Sequence, residues 1–279
     1  MWNNSRSWRK DRASPRLPDG LRIYAIGDVH GRADLLKAVL LQIDVDCTLY
    51  PSFRPIVVLL GDYIDRGPAS KEVLDLLAGC GHTKEMVFLR GNHDTFVHRF
   101  MSDPAVLDEW RLCGGLETLV SYGLKPSISP DLTEQKRLAR DLAMTIPKGH
   151  LEFLQSLSLS FSCGDFLFVH AGIRPGVPIR KQTEEDLLWI REEFLSCQEK
   201  FEKFIVHGHT PVRTLDIRSN RINIDTGAFA TGRLTCIVIE GCVIVPLIDV
   251  RDWLRSGAGL QVAHRKQTRM ESAAQSLVI

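Results

Sequence analysis

One pattern constrains this chain more than any other. An apolar run of strand length stops abruptly, usually at a glycine, and carboxylates, imidazoles or an amide follow at once. At its clearest, Ile56-Val57-Val58-Leu59-Leu60 leads into Gly61-Asp62-Tyr63-Ile64-Asp65-Arg66-Gly67. A continuous apolar run of this length reads as a strand covered on both faces. Gly61 and Gly67 permit sharp turning and close backbone approach there. A helical pattern follows at Val73, Leu74 and Leu77. The arrangement recurs four more times. Residues 21–26 run into Gly27-Asp28-Val29-His30-Gly31, and 86–89 into Arg90-Gly91-Asn92-His93-Asp94. Residues 165–169 deliver His170-Ala171-Gly172, and 204–206 deliver His207-Gly208-His209-Thr210-Pro211. In open α/β sheets ligands bind at the carboxyl ends of strands, and here those ends carry the chemistry.

Composition narrows the class. Hydrophobic residues make up 44% and charged residues 25% of the 279, as in ordinary globular domains. The formal net charge is +1, so no global field favours nucleic acid or a membrane as partner. No apolar run approaches the ~20 residues of a spanning helix. The N-terminus lacks the apolar segment of a secretory signal. Seven cysteines are scattered without a C-x-x-C pair. They read as reduced residues, and the expected location is cytoplasmic.

Residues 1–19 are polar and basic and are expected to form a flexible tail; 255–279 are expected to form a polar second one. Between them, 20–254 form the expected domain. Helical spacing predicts helices over 33–43, 71–77 and 184–195. Over 95–161 the strand-exit pattern disappears, and short helical segments are broken by Gly114-Gly115, Gly123, Pro126 and Pro130. This predicts a helical cap inserted over the site. Trp110 and Tyr122 within it are expected in the core, and His98 and His150 as surface or structural residues. Residues 222–224, 234–239 and 243–245 follow without intervening helices. They predict a mostly antiparallel second sheet with a hairpin turn at Glu240-Gly241.

The strand exits together offer Asp28, His30, Asp62, Asn92, His93, His170, His207 and His209. All are oxygen or imidazole donors. Such a set suits Mn²⁺, Fe or Zn²⁺ rather than a structural thiolate zinc site. It is too large for one ion. Two divalent ions ~3.5–4 Å apart, bridged by a carboxylate, would use it. Asp62 is the candidate bridge, because its strand is expected to lie centrally. Two such ions activate water as hydroxide and clamp phosphoryl oxygens for in-line displacement. Arg66 supplies a planar fork for phosphate. His93 would protonate the leaving oxygen, and Asp65 would orient that imidazole. A second phosphate arginine is expected, with Arg191 and Arg174 as candidates.

The five motifs, in this order and over residues 21–245, resemble the signature of the phosphoprotein phosphatase family of calcineurin-like metallophosphoesterases. That resemblance implies an α/β sandwich of two mixed β-sheets flanked by helices. It implies one metal on Asp28, His30 and Asp62 and another on Asp62, Asn92, His170 and His209. It implies a catalytic His93–Asp65 pair, phosphate contacts from Arg66, and Asn92 beside the substrate. Residues 187–191 are similar to the segment that carries the second phosphate arginine in bacterial and phage members, which favours Arg191. His207 corresponds to a usually aromatic position and stays outside the ligand set. Eukaryotic members commonly have glutamate at the Asp94 position and glycine at the Ala171 position, so the likeness is to the bacterial branch. The implied activity is phosphomonoester hydrolysis on phosphorylated proteins or peptides, with Mn²⁺ serving in vitro. The alternative is hydrolysis of a small phosphoester, a dinucleoside polyphosphate such as diadenosine tetraphosphate, which that branch also cleaves. A third reading is an inactive metal-stabilised binding module. Retention of every expected ligand argues against it, and turnover of an aryl phosphate discriminates.

Overall fold

The computed structural model of the protein describes residues 14–79 and 84–247. The expectations for 1–13, for 248–254 and for the C-terminal tail 255–279 lie outside them.

The apolar runs form strands where the pattern predicts them, and the inner ones are covered on both sides. In β1 (Leu21–Ile26) and β2 (Arg54–Leu59) successive side chains alternate between two cores. Ile23, Ala25, Ile56 and Val58 face a second sheet, together with Phe166, Phe168 and Val206. Tyr24, Ile26, Val57 and Leu59 face helices instead. Those helices are α1 (Ala33–Leu49) and α2 (Ser70–Ala78), which bury Leu36, Val39 and Ile43, and Val73, Leu74 and Leu77. The first sheet is completed by β3 (Glu85–Phe88), which pairs in parallel with β2 as β2 does with β1.

After β3 come α3 (Phe96–Ser102), α4 (Leu107–Trp110), α5 (Gly115–Ser121), α6 (Leu132–Thr145) and α7 (Lys148–Ser156). This stretch is not a detached lid. Phe96, Phe100, Trp110 and Leu138 are fully buried in the same core as α1 and α2. The helices end at Ser156, and the last two residues of the expected insertion, 160 and 161, already belong to β4 (Ser160–Cys163).

The second sheet is ordered β4-β5-β6-β8-β7, with β5 (Phe166–Val169), β6 (Phe204–His207), β7 (Asp216–Ile217) and β8 (Arg221–Asn223). Its central pairs β5–β6 and β6–β8 are parallel, so the sheet is mixed, not mostly antiparallel. The remaining strands cross over. After one short helix, α10 (Ala228–Thr231), β9 (Cys236–Glu240) returns to pair antiparallel with β1. The hairpin turn falls at Gly241-Cys242, one residue on from the expected Glu240-Gly241, because Glu240 still pairs with Val243, and it leads to β10 (Val243–Pro246) at the edge of the first sheet. Burial drives this: Ile237 and Ile239 complete the core between the sheets.

The outer face of the second sheet is covered by α8 (Glu184–Trp189) and α9 (Glu192–Leu195). The single helix expected over 184–195 is broken, because Ile190 and Arg191 leave helical geometry (Arg191 φ −130°, ψ −96°). His207 shares this outer face with Ile205 and packs edge-on against Phe194, with ring centres 4.9 Å apart. It therefore points away from the strand exits. Leu17, placed in the tail by its basic neighbours, is buried at 1% exposure between the sheets. Its N–H bonds Gly241 O at 2.9 Å.

His207 generates a pH prediction. Burial, and then the Arg221 charge, lower its pKa from 6.5 to about 3. Unfolding restores the ordinary value, so between these two pKa values the unfolded chain binds a proton that the folded chain rejects. Stability is then lost as pH falls below about 6.5. His207→Phe is expected to flatten this part of the Tm-against-pH curve, with metal content unchanged.

Candidate active site

All five strand-exit loops meet at one end of the two sheets. The first loop is pinned to the second: Val29 and His30 N–H bond Asp62 O at 3.1 and 2.8 Å, and Gly31 N–H bonds Tyr63 O at 2.9 Å. Asp94 fixes the third loop to the second. Its carboxylate accepts the N–H groups of Asp62, Tyr63 and Gly91 at 2.8, 2.9 and 2.8 Å. Burial and the Asp62 charge push the Asp94 carboxyl upward to about 8, against the pull of those three donors. A Cβ on Gly91 would overlap Asp62 Oδ1, and one on Gly208 would overlap Asp28 Oδ1. These two glycines are what let the carboxylates lie flat against neighbouring backbone.

The local backbone is strained. Among the described residues, five non-glycine residues have left-handed φ, and all five belong to the predicted site: His30 (44°), Asp62 (53°), Asp65 (72°), Arg66 (65°) and His209 (68°). Such conformations cost about 1–3 kcal/mol each and persist only where surrounding structure enforces them.

Asp62 sits at the centre. Its Oδ2 is 3.4 Å from His30 Nε2 and 3.9 Å from His93 Nε2, and its Oδ1 is 3.5 Å from His170 Nε2. Two triads of donor atoms result, His30–Asp62–His93 and Asp62–His170–His209, with all atoms of each within 4.8 Å of one another. Asn92 Oδ1 joins the second, 3.0 Å from His170 Nε2 and 2.9 Å from His209 Nδ1. Asp28 lies alongside, its Oδ2 accepting the His209 N–H at 3.0 Å.

The imidazoles are poised as neutral donors. His30 and His170 donate Nδ1–H to Ile64 O and Leu60 O, both at 2.9 Å, which leaves each Nε2 with its lone pair. Burial lowers the pKa of His30 to about 3 and of His209 to about 2, and lowers that of His170. Burial works against ionisation of Asp62, but the surrounding imidazoles outweigh it and hold its carboxyl below the ordinary range. Asp28 is pushed well up by burial and by Asp225 and Asp62.

The donor set fits divalent cations. Asp28, Asp62 and Asp225 are at most 2% exposed. Asp28 Oδ1 and His209 Nε2 are buried without a hydrogen-bond partner. Crowded buried anions and orphaned lone pairs are costly unless a cation satisfies them.

Beside the triads stands a second network. His93 donates Nδ1–H to Asp65 Oδ2 at 2.7 Å. Asp65 also accepts Trp110 Nε1–H at 2.9 Å and Thr118 Oγ1–H at 2.6 Å. Burial would lower the His93 pKa, but the Asp62 and Asp65 carboxylates raise it above the ordinary value. Arg66 Nη2 lies 3.2 Å from His93 Nε2, and its guanidinium rests over Phe229 at 5.1 Å. Arg174 is engaged by Asp186 and Glu193. Arg191 is exposed, has no ion pair among the described residues, and its charge acts on His170 and His209. His207 is not part of the cluster.

Sequence reasoning did not anticipate Asp94, Thr118, Asp225 or Phe229 in or around the site. Asp225 follows a short strand and is followed by Gly227, with Phe229 two residues further on, an arrangement resembling the other exits and a signal that was available. Trp110, expected in the core, is there and also bonds Asp65.

The strain at Arg66 is testable. Arg66→Gly is expected to be more stable than Arg66→Ala by about 1 kcal/mol, because only glycine adopts its φ freely. Both variants should lose phosphate binding. Equal melting temperatures for the pair would contradict the strain.

The model of the calcineurin-like phosphoesterase family matches residues 21–234. Bis(5'-nucleosyl)-tetraphosphatase PrpE, asymmetrical, of Halalkalibacterium halodurans is 27% identical over 238 residues, 76% of this chain and 87% of that protein. The protein of the same name from Bacillus velezensis is 29% identical over 228 residues, 75% of this chain and 86% of its own. A crystal structure described provisionally as a diadenosine tetraphosphatase superposes with a TM-score of 0.56 at 20% identity, covering 81% of this chain and 93% of that one. A cold-active protein-tyrosine phosphatase of a psychrophilic Shewanella gives 0.50 at 16% identity, covering 84% and 83%. At that identity both structures speak for the fold alone. With the family model spanning most of the chain and two mixed sheets flanked by helices carrying its motifs, this protein belongs to the calcineurin-like phosphoesterases, metal-dependent hydrolases of phosphoesters.

Proposed function

We propose that this chain hydrolyses dinucleoside polyphosphates asymmetrically, using two divalent metal ions. The observation that carries this reading is the shared name of the relatives above, which align over three quarters of this chain and most of their own length. Asp28, His30 and Asp62 would hold one ion, and Asp62, Asn92, His170 and His209 the other. Mn²⁺, Fe and Zn²⁺ all suit such donors. When bound, the ions supply an activated water at neutral pH and neutralise phosphate charge.

The chain's own residues do the rest. Arg66, and Arg191 from the helix break, grip non-bridging phosphate oxygens, and the Asn92 amide lies beside them. The oxygen of water forms the new bond to phosphorus. The bond from phosphorus to the leaving phosphate oxygen breaks, and that oxygen departs with the electron pair. His93, oriented through Nδ1 by Asp65, presents Nε2 to deliver a proton to it. Asymmetric cleavage of a tetraphosphate chain gives a nucleoside monophosphate and a nucleoside triphosphate.

A second reading, phosphomonoester hydrolysis on phosphorylated proteins, is supported by the His93–Asp65 pair. A positioned acid matters most when the leaving group is a poor one, such as a seryl or threonyl alkoxide. A substrate panel separates the two. Mn²⁺-loaded protein is expected to convert diadenosine tetraphosphate to AMP and ATP with a higher kcat/KM than it shows toward phosphoseryl or phosphotyrosyl peptides. Two ADP molecules as products, or a preference for peptides, would overturn the proposal.

A further inference from the structure

Beside the candidate active site lies a cavity of about 800 Å³ among α3, α4, α7 and α8, well within the range of small-molecule sites. It adjoins the metal ligands at two points. Thr95 lines it and donates Oγ1–H to Asn92 O at 2.7 Å. Trp189 lines it and meets the His209 ring edge-on, with centres 6.3 Å apart. Trp189 also borders a smaller cavity of about 270 Å³ that holds Arg191, so it divides two spaces that flank the same metal ligands.

The lining is amphipathic. Trp189 and Leu188 supply an aromatic plate and an apolar wall. Arg90 and Arg99 supply two guanidiniums, each turned toward a carboxylate, Glu184 at 3.1 Å and Glu109 at 2.6 Å. Guanidiniums fit phosphate oxygens, aromatic faces stack on bases, and carboxylates accept ribose hydroxyls.

We infer that this cavity is the subsite for one nucleoside of the dinucleotide, with Trp189 stacking on its base and Arg99 drawing in the adjacent phosphates. The inference rests on the dinucleotide reading. It assigns specificity to Trp189 and Arg99 and chemistry to neither. An aryl phosphate carries neither a nucleoside nor a polyphosphate chain, so it serves as the reference for the metal centre.

The test compares kcat/KM for diadenosine tetraphosphate with that for p-nitrophenyl phosphate, using Mn²⁺-loaded wild type, Trp189→Ala, Trp189→Phe and Arg99→Ala. Base stacking predicts that Trp189→Ala lowers the ratio by about 10-fold or more, chiefly through KM, and that Trp189→Phe restores most of it. Arg99, exposed on α3, tolerates truncation without loss of fold, and Arg99→Ala should lower the ratio in the same direction. An unchanged ratio in every variant would overturn the subsite while leaving the dinucleotide activity standing. A wild type that turns over p-nitrophenyl phosphate but not the tetraphosphate would overturn both.

Discussion

The Asp62 carboxylate is the constraint on which the rest of the site depends. It is buried, it follows β2, an interior strand of the first sheet, and imidazoles stand on both of its oxygens. Its backbone is left-handed, a conformation that aspartate does not choose unaided. Asp94 enforces it by taking three backbone N–H groups from two loops, one of them that of Asp62 itself. The Asp62 carboxyl stays below the ordinary carboxylate range in spite of its burial, so it is an anion at neutral pH. The imidazoles around it stay neutral because burial opposes their protonation. Neutral nitrogens around a shared carboxylate make a preorganised cation site, and preorganisation is what makes electrostatic catalysis effective.

The sheets supply the rigidity this needs. Strands covered on both faces cannot slide without exposing core, so their ends are fixed points. Five loops leave those points and interlock through backbone hydrogen bonds and two glycines that admit a carboxylate at close range. The inserted helices add support from the opposite side. Trp110 and Thr118 hold Asp65, which holds His93. Strain at five site residues is tolerated because the fold around it has no easier arrangement.

Much of this was legible in the sequence for a physical reason. A buried strand and the donors at its end are local features, visible within about ten residues. The predicted ligands Asp28, His30, Asp62, Asn92, His170 and His209 are therefore found together, and alternation explains why His207 faces Phe194 instead. What stayed hidden is nonlocal. The return of β9 to β1 depends on which core needs Ile237 and Ile239, not on the run itself. Thr118 reaches Asp65 across 53 positions, and Trp110 across 45. The break before Arg191 interrupts a pattern that reads as one helix, and Leu17 sits among charges that disguise it. The proposed nucleoside subsite is hidden for a related reason: the walls of its cavity come from four separate helices.

The measurement that bears most directly on the shared carboxylate is metal stoichiometry by mass spectrometry on protein purified with Mn²⁺. Wild type should carry two ions per chain, His209→Ala one, and Asp62→Asn should lose tight binding of both. Two ions retained by Asp62→Asn, or no more than one in wild type, would contradict the account.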